Sequence, residues 1–254
     1  MNENALKVIQ ILNGAGHQAL FAGGCVRDLI LGIPSNDIDV ATSALPDEIE
    51  SLFQSYKTVA VGKAFGVIVV IIDEEEFEIA TFRKDGPYLD GRHPSSVSFT
   101  SLEGDANRRD LTINGMYYNP ITKEIIDLVG GQNDLREKVI RFIGNPVARI
   151  QEDSLRLMRA LRFSARFCFE IEPNSLSTIV SNAHLIKNVS PERIGEELIK
   201  MLSVKHGLNR SLAIDLLFST EIMRHILPEV WKMKGCEQPP EYHPEGARVR
   251  KILV

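Results

Sequence analysis

PSNDIDVATS, residues 34–43, decides how this 254-residue chain is read. Asp37 and Asp39 stand two apart in a run that predicts a strand from Asp37 to Ala41. Side chains alternate faces along a strand, so both carboxylates project the same way. Carboxylates side by side repel unless a cation lies between them, and hard oxygen donors of this kind suit Mg²⁺. A turn after Pro34 would account for Asp37 as a turn or capping residue, but not for Asp39, where an unpaired charge inside an apolar strand is costly. Asp-x-Asp is a common pattern, and its weight here comes from GGCVRD at residues 23–28. An apolar run, Ala19–Ala22, ends at Gly23-Gly24 and is followed by Arg27. A glycine turn opening a helix offers backbone N–H groups to phosphate, and a guanidinium adds charge. The pair also reads as a tight turn needing φ > 0. Neither GxxxxGK[ST] nor a strand-linked GxGxxG occurs, which makes P-loop and Rossmann nucleotide sites poor alternatives.

The rest of the composition is that of an ordinary globular chain, 44% hydrophobic and 25% charged. No apolar run reaches the ~18 residues of a membrane span. The N-terminus reads as an amphipathic helix and has no secretory signal, so a cytoplasmic protein is expected. Cys25, Cys168 and Cys236 lie far apart and form no CxxC pair, which suggests neither a disulfide framework nor a zinc site. A net charge of −5 argues against indiscriminate coating of nucleic acid, yet Arg149, Arg156, Arg159, Arg162 and Arg166 crowd into eighteen residues.

The hydrophobic period changes repeatedly before residue 145 and hardly at all after it. The first half predicts helices over residues 3–14 and 46–53. Strands are expected at 19–22, 37–41, 58–61, 67–72 and 77–81, giving a mixed sheet. RKDGPYLDGRHP, residues 83–94, is too rich in Gly, Pro and charge for a core strand and reads as a mobile loop. From Pro146 onward apolar residues recur at helical spacing, with Pro173, Pro191 and Pro228 at helix ends.

Three further groups carry possible chemistry. Glu78, in FEIATFR, is placed to be a third carboxylate beside the pair, or a salt-bridged strand glutamate. NRRDLTING, residues 107–115, offers cationic donors for phosphate and an amide; alone it would be a charged helix end capped by Asp110. EDSLRLMRALRF, residues 152–163, spaces Asp153, Arg156, Arg159 and Arg162 by three. On one helix they form a slanting stripe, either a solvated face or a set of acceptors and donors for a base edge and phosphates.

GGCVRD, NDIDVAT, RRDLTING, EDSLRLMRALRF and SPERIGEEL (residues 190–198), in this order, closely resemble the class II tRNA nucleotidyltransferases. This group of CCA-adding enzymes also contains the bacterial poly(A) polymerases and the separate CC-adding and A-adding enzymes. The resemblance runs from about residue 19 to residue 202, and EYHPEG, residues 241–246, is also familiar. It implies an α+β fold: a polymerase β-type nucleotidyltransferase head, a mixed sheet with flanking helices over residues 1–145, followed by an all-α neck and body over residues 146–254. It implies Mg²⁺ held by the catalytic Asp37 and Asp39, with Gly24 and Arg27 against the incoming nucleotide and Arg109 on its triphosphate. Asp153 and Arg156 would read the Watson–Crick edge of CTP or ATP, with Arg159 and Arg162 completing the pocket. The implied reaction is attack of a tRNA 3′-hydroxyl on the α-phosphorus of CTP or ATP, without a nucleic-acid template.

Poly(A) polymerases typically carry a stretch like GRRF followed by His-Val where this chain has GKAFGVIVV, residues 62–70, which favours a tRNA enzyme. The complete 83–94 loop matches the family's flexible loop and favours CCA addition over CC addition. A-adding enzymes, poly(A) polymerases and, from another class, a silent RNA-binding fragment remain alternatives. In many relatives the EYHPEG-like stretch opens a phosphohydrolase domain, whereas here ARVRKILV follows; weaker grip on the tRNA elbow is the expectation.

Overall fold

The computed structural model describes residues 2–35, 37–60, 62–88, 95–203 and 207–235. It divides into two compact units, one closing at Arg136 and the other opening at Glu137, ahead of the change of period at residue 145.

The first unit begins with α1 (Glu3–Gly14), β1 (Ala19–Ala22), α2 (Gly24–Ile30), β2 (Asp39–Thr42), α3 (Pro46–Leu52) and β3 (Lys57–Val59). β4 (Val67–Ile72), β5 (Glu75–Thr81), β6 (Arg83–Asp85), β7 (Val97–Phe99), α4 (Leu102–Arg108), β8 (Tyr117–Asn119), β9 (Glu124–Ile126) and α5 (Gly131–Glu137) follow. α1 is opened by Asn2, whose Oδ1 accepts the Ala5 N–H at 3.0 Å. It buries Ala5, Val8, Ile9 and Leu12, the i, i+3, i+4, i+7 stripe of a helix lying on a core.

Seven strands form one sheet in the order β3-β4-β5-β2-β1-β8-β9. Only β2 and β5 run parallel; the other neighbours are antiparallel. β4 alternates buried Ile68, Val70 and Ile72 with half-buried residues, as a strand with one core face must, while β1 is buried throughout at the centre. On one face Leu20, Ala22, Ala41, Phe82 and Tyr117 pack with Ala106 of α4.

Two expectations change here. The strand predicted from Asp37 starts at Asp39, because β1 ends at Ala22, opposite Asp39, and the chain then turns into α2. Asp37 therefore has no strand to pair with, and its carbonyl instead accepts the Ser35 hydroxyl at 3.0 Å. The loop beginning at Arg83 starts as a strand: β6 pairs with β7 in a two-stranded hairpin stem outside the main sheet. Residues 89–94 lie outside the described residues.

The second unit contains β10 (Val139–Ile140), α6 (Pro146–Glu152), α7 (Arg156–Phe167), β11 (Glu170–Ile171), α8 (Pro173–Asn182) and α9 (Pro191–Leu202). α10 (Gly207–Ser219), α11 (Ile222–Ile226) and α12 (Pro228–Lys232) complete it. Pro146, Pro173, Pro191 and Pro228 each open a helix, where the missing N–H costs no ladder bond. α7 packs against α9 and α10, and β10 and β11 form a short parallel pair.

Asp153 does not belong to the arginine-bearing helix. α6 stops at Glu152, and the Asp153 carboxylate accepts the Leu155 N–H at 3.0 Å, a local side-chain bond that replaces the helical ladder. The three-residue stripe therefore runs only through Arg156, Arg159 and Arg162. Cys25 is buried and Cys168 exposed, both free, and Cys236 and EYHPEG lie outside the described residues. No helix among the described residues is long and apolar enough to cross a membrane.

Candidate nucleotide site

The register of the sheet assembles the first part of the site. Ala22 lies opposite Asp39 on one side and opposite Tyr117 on the other, so the three share a face in one row. The parallel ladder sets Val40 beside Ile79, so Asp39 and Glu78, one residue earlier on each strand, stand abreast. Among the described residues the alternative of a salt-bridged strand glutamate gains no partner for Glu78; its influence falls on Asp39.

Asp37, Asp39 and Glu78 are all open to solvent. The protein packed about the Asp39 carboxyl raises its pKa above the usual carboxylate range, Glu78 and Asp37 add to the rise, and Arg109 opposes it. A carboxylate held in this way gains from a cation, and an all-oxygen donor set fits a hard divalent ion such as Mg²⁺. Among the described residues no three acidic, His or Cys side chains converge as a ready-made metal cage.

Arg109, at the C-terminal end of α4, reaches the same row. Its guanidinium lies 5.0 Å from the Tyr117 ring centre, and its Nε donates to the Tyr117 hydroxyl at 3.1 Å. Nη1 donates to the Asn114 carbonyl at 3.4 Å, while Nε and Nη2 donate to Asp105 Oδ2 at 3.3 and 3.1 Å. Gly23, with φ +73°, makes room for it: a Cβ there would lie 2.9 Å from Arg109 Nη1. The turn reading of the glycine pair thus holds for Gly23, which also donates its N–H to the Met116 carbonyl at 3.0 Å. Gly24 is the first residue of α2, and a Cβ there would meet Arg27 Nη2 at an ordinary 3.5 Å.

Arg27 is only 3% exposed. Nε and Nη2 both pair with Asp28 Oδ1 at 2.8 Å, and Nη1 donates to Asn114 Oδ1 at 2.5 Å. It therefore ties GGCVRD to TING from inside. Asp110 Oδ1 accepts the Leu111 N–H at 2.8 Å and the Asn114 amide at 3.4 Å, fixing the 3₁₀ turn that carries Asn114. Asp105 and Tyr117 escaped the sequence reading. The signal for Asp105 was its i, i+3 and i, i+4 spacing from Arg108 and Arg109.

In the second unit, α9 holds Asp153, one of the residues expected to read the base, and also Arg162. Arg193 pairs with both oxygens of Asp153, at 3.2 and 2.7 Å. One turn on, Glu197, 3% exposed, accepts Arg162 Nε at 2.5 Å. Arg156 is buried, with Nη1 donating to the Arg149 carbonyl at 3.0 Å and to Glu152 Oε2 at 2.5 Å. Arg162 and Arg159 lie 4.1 and 5.7 Å from the Phe163 ring centre. Arg156 and Arg162 are thus engaged by the protein rather than standing on a solvated face.

A mixed sheet with an acidic row and an arginine network on one face, flanked by helices and followed by a helical unit, defines a polymerase β-type nucleotidyltransferase head with its all-α neck. Residues 19–141 match the family model "Poly A polymerase head domain", and residues 168–234 match "Probable RNA and SrmB- binding site of polymerase A". The chain belongs to the family of class II tRNA nucleotidyltransferases and bacterial poly(A) polymerases.

It is 44% identical over 230 residues to a CCA-adding enzyme of Bacillus pumilus, an alignment covering 89% of this chain and 56% of that protein. The crystal structure of the Bacillus stearothermophilus CCA-adding enzyme in complex with CTP superposes with a TM-score of 0.82 at 37% identity, covering 92% of this chain and 57% of that one. The Thermotoga maritima CCA-adding enzyme complexed with tRNA_CCA gives a TM-score of 0.74 at 26% identity, covering 90% of this chain and 54% of that one. The chain thus spans little more than half the length of the relatives it matches.

Proposed function

We propose that this chain is a tRNA 3′-end nucleotidyltransferase that adds C and A residues from CTP and ATP to complete CCA, in the cytoplasm. The observation that carries the reading is the row in which Asp39 stands beside Glu78 while Arg109, seated on Tyr117, faces the same side. The likeness to CCA-adding enzymes supports it.

In this reading the first unit, the head, carries the chemistry. Asp37 and Asp39 hold Mg²⁺, with Glu78 as a further oxygen donor. Bound there, Mg²⁺ would lower the pKa of the attacking 3′-hydroxyl and neutralise charge on the departing pyrophosphate. Arg109 meets the triphosphate, and Gly24 and Arg27 border the nucleotide, with Arg27 keeping Asn114 in place. The helical unit selects the base: Asp153 and Arg156 offer acceptors and donors to its Watson–Crick edge, with Arg159 and Arg162 beside them. Most of the rate comes from positioning and from charge arranged before the reaction.

The test is incubation with Mg²⁺, labelled CTP or ATP, and tRNA lacking one, two or three terminal residues. Addition that halts after CCA is the expected result. An open-ended A tail would assign poly(A) synthesis instead, A addition only to CC-ended tRNA would assign an A-adding enzyme, and binding without incorporation would make the chain an RNA-binding fragment.

A further inference from the structure

Asp105 of α4 is 1% exposed, yet it carries a full set of charged neighbours, and its two oxygens serve different parts of the head. Oδ2 accepts the Tyr117 hydroxyl at 2.6 Å and Arg109 Nη2 at 3.1 Å. Oδ1 accepts the Arg83 backbone N–H at 3.2 Å and Arg108 Nε at 2.8 Å. Arg83 begins the hairpin stem formed by β6 and β7. The same stem is tied down a second time through Asp85, which pairs with Arg83 Nε at 3.1 Å and Arg108 Nη1 at 3.6 Å and accepts the Tyr88 hydroxyl at 2.7 Å.

We propose that Asp105 is a positioning residue that sets Arg109 for the triphosphate and couples its placement to the β6–β7 hairpin stem. The inference rests on the reading of Arg109 as the triphosphate ligand. A buried carboxylate cannot give up donors on one oxygen without leaning harder on those at the other, because an unpaired buried charge is strongly unfavourable. When Arg109 turns toward a triphosphate, Oδ2 loses charge compensation, and the bonds from Arg108 and the Arg83 N–H to Oδ1 strengthen in response. Coupling of this kind is reciprocal: triphosphate binding steadies the stem, and a disturbed stem weakens triphosphate binding. Arg108 and Arg109 hold the Asp105 carboxyl below the usual carboxylate range against the burial that would raise it, so the charge is present for this role.

The experiment measures CTP affinity in Mg²⁺ and hydrogen exchange of residues 83–88 and 95–99 with and without CTP, on the whole chain. In the wild type, CTP should slow exchange in the stem. In Asp105→Asn, KM for CTP and ATP should rise about tenfold, with kcat changed far less, and CTP should no longer protect the stem. Retained protection together with unchanged affinity would overturn the proposal. Should Asp105→Asn fail to fold, Tyr117→Phe removes one Oδ2 donor and should show a partial version of both effects; its absence counts equally against the idea. Arg109→Ala separates the two levels. Unchanged CTP affinity in Arg109→Ala refutes the triphosphate reading itself, whereas weakened affinity there with a wild-type Asp105→Asn refutes only the coupling.

Discussion

Arg193 grips both oxygens of the Asp153 carboxylate, Nη1 on Oδ1 at 3.2 Å and Nη2 on Oδ2 at 2.7 Å. The bidentate pair fixes the plane of the carboxylate as well as its position. Hydrogen bonds to charged groups contribute about 1.5–3 kcal/mol, so loss of the pair frees Asp153 to rotate. Arg193→Ala should lower discrimination between CTP and UTP by about tenfold or more, a ratio corresponding to ~1.4 kcal/mol, read as the ratio of kcat/KM values. Arg193→Lys should recover only part of it, since an ammonium cannot match both oxygens at once. Unchanged base choice in Arg193→Ala would remove Asp153 from the reader.

Asp39, although its residue surface is exposed, is held above the usual carboxylate range first by the protein that displaces water around its carboxyl and next by Glu78, with Asp37 adding and Arg109 opposing. A carboxyl whose folded pKa is raised weakens the fold wherever it must be ionised, that is, above its unfolded pKa. Asp39→Asn should therefore melt at a higher temperature than the wild type at pH 7 in EDTA, while nucleotide incorporation falls to background. A lower melting temperature would show that the carboxylate is well satisfied without a metal.

Glu172 caps α8, accepting the Asn174 N–H at 3.0 Å and, through Oε2, the Ser175 N–H at 2.7 Å and hydroxyl at 2.8 Å. Burial works to raise its pKa, but the Ser175 and Asn174 bonds, helped by Arg141, outweigh it and the value is lowered. Its contribution is present above the unfolded pKa, about 4.3 for a glutamate, and is lost as the pH falls through the lower folded value. Glu172→Ala should cost about 1 kcal/mol at pH 7 in denaturant melts, and the gap from the wild type should narrow as the pH falls below the unfolded value.

Gly23 has φ +73° and ψ −125°, and a Cβ there would lie 2.9 Å from Arg109 Nη1. Gly23→Ala should lose about 1–3 kcal/mol from backbone strain. It should also raise KM for both CTP and ATP, because the arginine must move. A stable Gly23→Ala with normal KM would show that Arg109 has another seat.

The elements most visible in the sequence were those whose pattern is local. β1 and β4 begin and end at the expected residues, 19–22 and 67–72, because short apolar runs bounded by glycine or turn residues can hardly be anything else. Pro173, Pro191 and Pro228 marked helix ends, and each opens a helix, since proline restricts its own φ and needs no partner to do so. What failed depended on partners far along the chain. Asp37 falls outside β2 because β1 stops at Ala22, and nothing near Asp37 announces that. Asp153 leaves the helix pattern because its carboxylate takes a nearby N–H and the distant Arg193.

Residue order alone established the inventory of the candidate site: an Asp-x-Asp pair, a glycine turn, paired arginines and an acidic-arginine stretch, in the sequence of motifs that marks the family. It could not say which charges would face each other, since Coulomb interactions and hydrogen bonds depend on separations of a few ångströms that a linear pattern does not encode. The fold brought Glu78 beside Asp39 through strand register, seated Arg109 on Tyr117 against Gly23, and buried Asp105 between Arg109 and the hairpin stem. The Asp-Ile-Asp pair supplied the carboxylates, and the strands and helix packed around it determined their neighbours.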